Sequence, residues 1–211
     1  MDIVLNGITF QLLSQKAVYQ ADEELLIIAD VHLGKARHFM RSGVNLTHKA
    51  QQSDYQNLAQ LFFSYQPKKV YFLGDLFHSS INADWMHFEN LINAFSAIEF
   101  TLIKGNHDLI PTSFFTRLNV NVINETLETE QFIFSHHPLS ITTDKIVFCG
   151  HIHPAVRLQG KARQSVLLPC FHYSAPNFLL PSFGRLTGSY IIRQKRNEKV
   201  FIVVGNEVKM L

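Results

Sequence analysis

The chain of 211 residues carries a net charge of +2, two cysteines and 46% hydrophobic residues. That length fits one domain spanning residues 1–211, and it can bury roughly 70% of the unfolded surface without disulfide or metal staples. A charge this close to zero offers no global attraction to nucleic acid or an anionic membrane. No apolar run approaches the ~20 residues of a membrane span, and the amino terminus lacks the basic and apolar pattern of a signal peptide. Cys149 and Cys170 sit in apolar runs and read as small buried hydrophobes in a reducing compartment, so the expected location is the cytoplasm. More informative are the 11 histidines, which a core of this size does not require.

In chain order, residues 2–20 read as a small antiparallel meander, with Ile3-Val4-Leu5 and Ile8–Leu12 flanking an Asn6-Gly7 turn and Ala17-Val18-Tyr19 adding a third strand. Leu25–Ala29 is an uninterrupted apolar run, the pattern of a strand buried on both faces. A polar loop over 33–46 carries Lys35, Arg37, His38 and Arg41. Thr47 is placed to cap a helix over 48–64, where Tyr55, Leu58, Leu61, Phe62 and Tyr65 keep helical spacing and Pro67 enforces a stop. Strand 70–73, a helix capped by Asp84 with Trp85, Phe88, Leu91, Ile92 and Phe95 on one stripe, and strand 100–103 complete a β-α-β-α-β rhythm, the signature of a sheet with helical crossovers. After a short helix near 112–118 the texture changes to short strands at 120–123, 131–135, 145–149, 155–158, 165–169, 189–194 and 200–204. These predict a second, largely antiparallel sheet packed on the first.

The chemistry gathers where these strands stop. Strand 25–29 delivers Asp30 and His32; strand 70–73 delivers Gly74 and Asp75; strand 100–103 delivers Asn106, His107 and Asp108. Strand 131–135 is followed by His136 and His137, and strand 145–149 by Gly150-His151-Ile152-His153. Open α/β sheets place ligands at such carboxyl ends. Carboxylate, amide oxygen and imidazole suit a pair of borderline divalent cations, Mn²⁺ first and Fe²⁺ or Zn²⁺ as alternatives. The absence of cysteine ligands disfavours a structural zinc site. A carboxylate between two metals roughly 3.5–4 Å apart can bridge them and hold a hydroxide for in-line attack on phosphorus.

Asp30-Val31-His32, Gly74-Asp75, Gly105-Asn106-His107-Asp108, His136 and Gly150-His151-Ile152-His153, in that order, resemble the calcineurin-like metallophosphoesterase superfamily. The resemblance implies an α/β fold, a four-layer α/β/β/α sandwich of two mixed sheets, with the metals at the sheet ends. It assigns Asp30, His32 and His153 to one metal, Asp75 to the bridge, and Asn106, His136 and His151 to the other. The choice of His136 over His137 follows the Ser-His-x-Pro pattern of Ser135-His136-His137-Pro138. His107 is implied as the proton donor or phosphate contact, with Asp108 orienting its ring. Where relatives often carry an acidic residue after Gly-Asp, this chain has Leu76-Phe77-His78, so His78 is an outer-shell or substrate-binding candidate.

The stretches Ala29–Phe39, Gly74–Ser79 and Leu180–Gly188 are similar, more narrowly, to the ligase-associated DNA damage response endonucleases of bacteria. That similarity implies a phosphodiesterase or nuclease acting on DNA in repair, beside a DNA ligase and a helicase. Lys35, Arg37, His38 and Arg41 are placed to steer phosphate, with a solvated basic loop as the alternative; His172, Tyr173 and Arg185 either line the cleft or bond locally. Two other functions remain open at this level. One is a phosphoesterase for nucleotides or other small phosphoesters; the other is a non-catalytic scaffold, disfavoured by the complete set of histidines.

Overall fold

The computed structural model describes residues 1–35, 48–78, 84–160 and 164–211. Its first sheet has seven strands in the order β1-β2-β3-β4-β5-β6-β7. Strands β1 (Asp2–Leu5), β2 (Ile8–Leu12) and β3 (Val18–Gln20) form the expected meander, the first turn being made by Asn6 and Gly7 with φ of 49° and 79°. β4 (Leu25–Ile28) pairs antiparallel with β3 and parallel with β5 (Lys69–Leu73), which in turn pairs parallel with β6 (Glu99–Ile103). Helix α1 (His48–Tyr65) ends where Gln66 turns left-handed at φ 43° and donates to the Phe62 carbonyl, one residue before Pro67 forbids continuation. Its proposed cap, Thr47, lies outside the described residues. Helix α2 (Asp84–Ala94) begins at the anticipated Asp84, and α3 (Thr112–Thr116) is a short connector.

Alternation along β4–β6 divides the sheet into two apolar faces. Leu26, Ile28, Val70, Phe72, Phe100 and Leu102 pack under Leu58, Leu61, Phe62, Phe88, Leu91, Ile92 and Phe115 of the three helices. Ile27, Ala29, Leu73 and Ile103 face Phe132, Phe134, Ile146, Phe148, Phe171, Phe178 and Phe201 of the second sheet. The many phenylalanines are thus concentrated in the two interlayer cores.

The second sheet has nine strands: β8 (Thr126–Glu128), β9 (Phe132–Ser135), β10 (Ile146–Cys149), β11 (Pro154–Gln159), β12 (Ser165–Ser174), β13 (Asn177–Leu179), β14 (Tyr190–Ile191), β15 (Lys199–Val204) and β16 (Glu207–Met210). Strand 120–123 does not belong here. As β7 (Asn121–Ile123) it pairs parallel with β6 in the first sheet, because α3 returns the chain to that sheet's edge like any βαβ crossover. The predicted strand over 189–194 contracts to two residues, while β8, β13 and β16 had no sequence counterpart. The sheet is mixed, and β9, β10 and β13 in its middle run parallel. Beyond it, Ile133, Val147, Cys149 and Leu179 form a small outer cluster, and Val156, Cys170, Val200 and Ile202 another. Among the described residues no helix packs on these two clusters. Cys149 and Cys170 are unpaired and fully buried. Burial pushes both thiols up, Cys170 to about 12, which leaves them unreactive.

Candidate metal centre

The carboxyl ends of β4, β5, β6, β9 and β10 meet along one edge of the sandwich, and their loops are laced together by backbone. Asp30 N–H donates to Gly74 O at 3.2 Å, His32 N–H to Asp75 O at 2.9 Å, and Leu33 N–H to Leu76 O at 2.8 Å. Asp30, His32, Asp75, His151 and His153 all adopt left-handed φ, between 49° and 67°. Asp and His tolerate this region better than most residues, but such conformations persist only where the surroundings impose them.

One group forms around Asp30, which is fully buried together with nearly all of His32. Both Asp30 oxygens accept from His151 N–H, at 3.1 and 2.9 Å, and its carbonyl accepts from Ser182 Oγ at 2.8 Å and Gly184 N–H at 3.1 Å. His153 Nε2 lies 3.3 Å from Asp30 Oδ1, while His153 Nδ1 contacts the Gly188 carbonyl at 3.2 Å. Ligand atoms of Asp30, His32 and His153 fall within 4.8 Å of one another. Burial first, then the Lys35 charge, drives His32 down to about 2 and keeps it neutral.

The other group forms around His136. Its Nδ1–H donates to Leu73 O at 2.9 Å, which fixes the tautomer and leaves the Nε2 lone pair free. That Nε2 points at Asn106 Oδ1 at 3.0 Å, His151 Nδ1 at 3.2 Å and Asp75 Oδ1 at 3.5 Å. Burial holds His136 down at about 4 and also lowers His151. His137 is exposed, yet its ring sits 4.2 Å from that of His151 and joins a second set of potential ligands with His136. Of the two, His136 is the buried one and the one anchored to backbone.

Asp75 stands between the groups. Its Oδ2 lies 3.7 Å from His32 Nε2, and its Oδ1, 3.5 Å from His136 Nε2, also accepts from His107 N–H at 2.8 Å. Three glycines clear space for these side chains. A Cβ on Gly74 would run into the His136 ring, one on Gly105 into the Asp75 carboxylate, and one on Gly150 into that of Asp30. All three stand in the sequence motifs, where none was given this role. Ser182 and Gly184 were quoted in the Leu180–Gly188 stretch but given no role; they brace the Asp30 backbone.

The remaining candidates divide. Half-buried Lys35 feels both carboxylates, although burial is the larger influence and lowers its ammonium. Arg37, His38 and Arg41 lie outside the described residues. His78 stacks on His107, ring centres 5.3 Å apart, and both rings approach His32 edge-on. Asp108 departs from expectation: rather than the His107 ring, its two oxygens engage Phe77 N–H at 3.1 Å and Gly105 N–H at 2.9 Å. It therefore ties the β5 and β6 loops together, and burial raises its carboxyl to about 7. His172 is withdrawn into a local contact with Glu198 at 3.1 Å. Arg185 is exposed, its N–H making a long 3.5 Å contact with Asp54.

The donor set itself fits a divalent cation. Both nitrogens of His32 and Nε2 of His153 are buried with no hydrogen-bond partner. Buried polar atoms are seldom left so, and imidazoles converging on two carboxylates offer the lone pairs that a divalent cation takes. The calcineurin-like phosphoesterase profile matches residues 24–205, which contain every one of these candidate ligands. The chain belongs to the calcineurin-like phosphoesterase family. It is accordingly a metal-dependent phosphoesterase, a hydrolase. The crystal structure of a nuclease, MPE, from Pseudomonas putida is similar over 100% of this chain and 99% of that one, with 26% identity and a TM-score of 0.82. A phosphoesterase from E. coli aligns over 87% of this chain and 95% of its own, at 13% identity and a TM-score of 0.45. No curated protein matches the sequence.

Proposed function

We propose that the chain is a dinuclear phosphodiesterase that cleaves nucleic acid, with DNA in repair as its setting. The observation that carries this reading is the position of Asp75 between two neutral histidine groups, His32 on one side and His136 on the other. Asp30, His32 and His153 would hold one ion, Asn106, His136 and His151 the other, and Asp75 both. Such ions, Mn²⁺ by preference, would supply a nucleophilic water and offset the negative charge on the phosphoryl oxygens. Lys35 draws the phosphate toward the carboxylates. His107, held by its N–H on Asp75, donates a proton to the leaving oxygen, with the stacked His78 limiting its ring motion. Asp108 acts through the backbone of the Gly105–Asp108 turn rather than on the proton.

Nuclease rather than general phosphoesterase activity is supported by the Pseudomonas putida nuclease, which matches end to end. The narrower similarity of Ala29–Phe39 and Leu180–Gly188 supports action as one catalytic domain in the cytoplasm, beside a DNA ligase and helicase. The near-neutral charge keeps a small phosphoester as the second reading. Purified protein assayed with Mn²⁺, Fe²⁺, Zn²⁺ or Mg²⁺ against single-stranded DNA, bis(p-nitrophenyl) phosphate, p-nitrophenyl phosphate and a cyclic nucleotide distinguishes them. Strongest Mn²⁺-dependent turnover on DNA is expected; turnover confined to the small compounds removes the nuclease assignment.

A further inference from the structure

The second sheet has an edge that its own chain leaves open. Among the described residues β16 pairs with β15 alone, so one row of its backbone groups has no strand beside it. The register identifies these groups. Leu211 N–H donates to Val200 O at 2.9 Å, and the two residues continue the β15–β16 register, so they form a hydrogen-bonded pair. Such pairs alternate along an antiparallel ladder. Glu207 and Lys209 therefore turn their backbone toward β15, while Val208 and Met210 turn theirs outward.

The side chains alternate as well. Val208 packs on the interlayer core, whereas Glu207 and Lys209 stand on the opposite face, both exposed. Lys209 Nζ lies 2.7 Å from Glu207 Oε2. A lysine on an edge strand ordinarily keeps other strands away. Here its charge is already matched within the strand, and a net charge of +2 adds little repulsion between copies.

An open edge accepts an extended chain, and the charges decide which one. When two β16 strands meet antiparallel, only the outward-facing residues can exchange backbone bonds, so the registers with most overlap are centred on residue 207, 208 or 209. Centring on 207 sets Glu207 against its own counterpart, and centring on 209 does the same to Lys209. Like charges directly opposite are destabilising. Centring on Val208 instead sets Glu207 of each copy against Lys209 of the other. It also lays the Gly205-Asn206 turn of each copy beside Met210 of the other. Met210 is 57% exposed and borders a cavity of about 240 Å³ between the sheets, lined also by Met1, Ile3, Leu5 and Phe201.

We infer that β16 is a homodimerisation edge: two copies of this chain pair their β16 strands antiparallel about Val208, with Glu207 and Lys209 fixing the register. The two nine-stranded sheets then become one continuous sheet. The two-fold axis stands perpendicular to that sheet and reverses the strand direction between copies. The metal-bearing edges of the two copies thus face opposite ways, and each centre works alone. The pairing does not depend on what the centre cleaves.

Sedimentation velocity of the full chain at micromolar concentration tests the pairing, and a dimer is expected for the parent. Lys209→Glu turns both cross-strand pairs into like-charge pairs and should raise the dissociation constant roughly tenfold or more. Adding Glu207→Lys to Lys209→Glu restores the opposition and should return the constant to within about threefold of the parent. Val208→Pro removes an N–H that the ladder to β15 does not use, and should leave a folded monomer. Hydrolysis of bis(p-nitrophenyl) phosphate with Mn²⁺ reports on folding and should stay within about twofold of the parent in each variant, the sites being far from the centre. A parent that sediments as a monomer leaves the edge to some other chain and overturns the homodimer. A dimer left intact by both Lys209→Glu and Val208→Pro overturns it too, because the copies then meet through another face.

Discussion

The two halves of the metal centre are built on different principles. Around His136 the geometry is set by hydrogen bonds: Leu73 O fixes the ring, and Asn106 and His151 crowd its free nitrogen. Around His32 the main chain and Asp30 are hydrogen-bonded, but the His32 ring is placed by packing, for both its nitrogens lack a protein partner. The His136 half is thus preformed by the protein, whereas the His32 half leaves buried polar atoms to be satisfied by an ion. The difference teaches that preorganisation can be achieved either by supplying partners or by withholding them.

The most severe way to break this contrast is to remove what the halves share. Asp75→Asn should lower kcat/KM on bis(p-nitrophenyl) phosphate on the order of a thousandfold, roughly 4 kcal/mol of barrier; retention of a tenth of the activity would contradict its bridging position. Next come the glycines, which address the halves separately. Gly150→Ala should expel the Asp30 carboxylate and Gly74→Ala the His136 ring, each costing about 1–3 kcal/mol in stability and about one bound ion. Thermal melting with metal analysis reads both, and full ion content in either variant would show that the neighbouring side chain simply moves aside.

A finer comparison uses chelated protein. There His136→Leu loses the bond to Leu73, while His32→Leu removes two unpartnered nitrogens, so the His32 variant should be the more stable by about 1–3 kcal/mol. Equal melting temperatures would erase the proposed distinction.

The smallest effect concerns the support behind the His32 half. Lys16 Nζ donates to Phe183 O at 2.6 Å, and Asp54 meets Arg185 N–H in the same strap that braces Asp30. Burial lifts Asp54 to about 6, above its ordinary 3.8. A raised carboxyl adds stability that is fully present below pH 3.8 and lost as pH rises through about 6. Asp54→Asn should therefore flatten the stability profile between pH 4 and 6, by about 1–3 kcal/mol; an unaltered slope would assign that titration elsewhere. Lys16, lowered by burial to about 8, acts at higher pH, its contribution being lost as pH falls from 10.5 through about 8.

Much of this was legible in the sequence because the relevant signals were local. Buried strands announce themselves as apolar runs, and Asp30, Asp75, Asn106, His136, His151 and His153 follow such runs at once. What escaped depended on partners far away in the chain. β13 is three residues long and gains strand character only between β10 and β12, and β7 joins the first sheet because α3 delivers it there. Asp108 sits beside His107 in sequence but turns its carboxylate to Phe77, an orientation fixed by a loop from another strand. Ser182 braces Asp30 from 152 positions away, and no pattern along the chain reports such a contact.

The left-handed backbone at Asp30, His32, Asp75, His151 and His153 narrows the routes by which the centre can change. An ordinary donor swap, such as aspartate for a glutamate or histidine for a longer side chain, has to satisfy the main chain before it can satisfy an ion. Asparagine, aspartate and histidine therefore form a short alphabet for these positions, and softer or bulkier donors are screened out by torsion before affinity is ever tested.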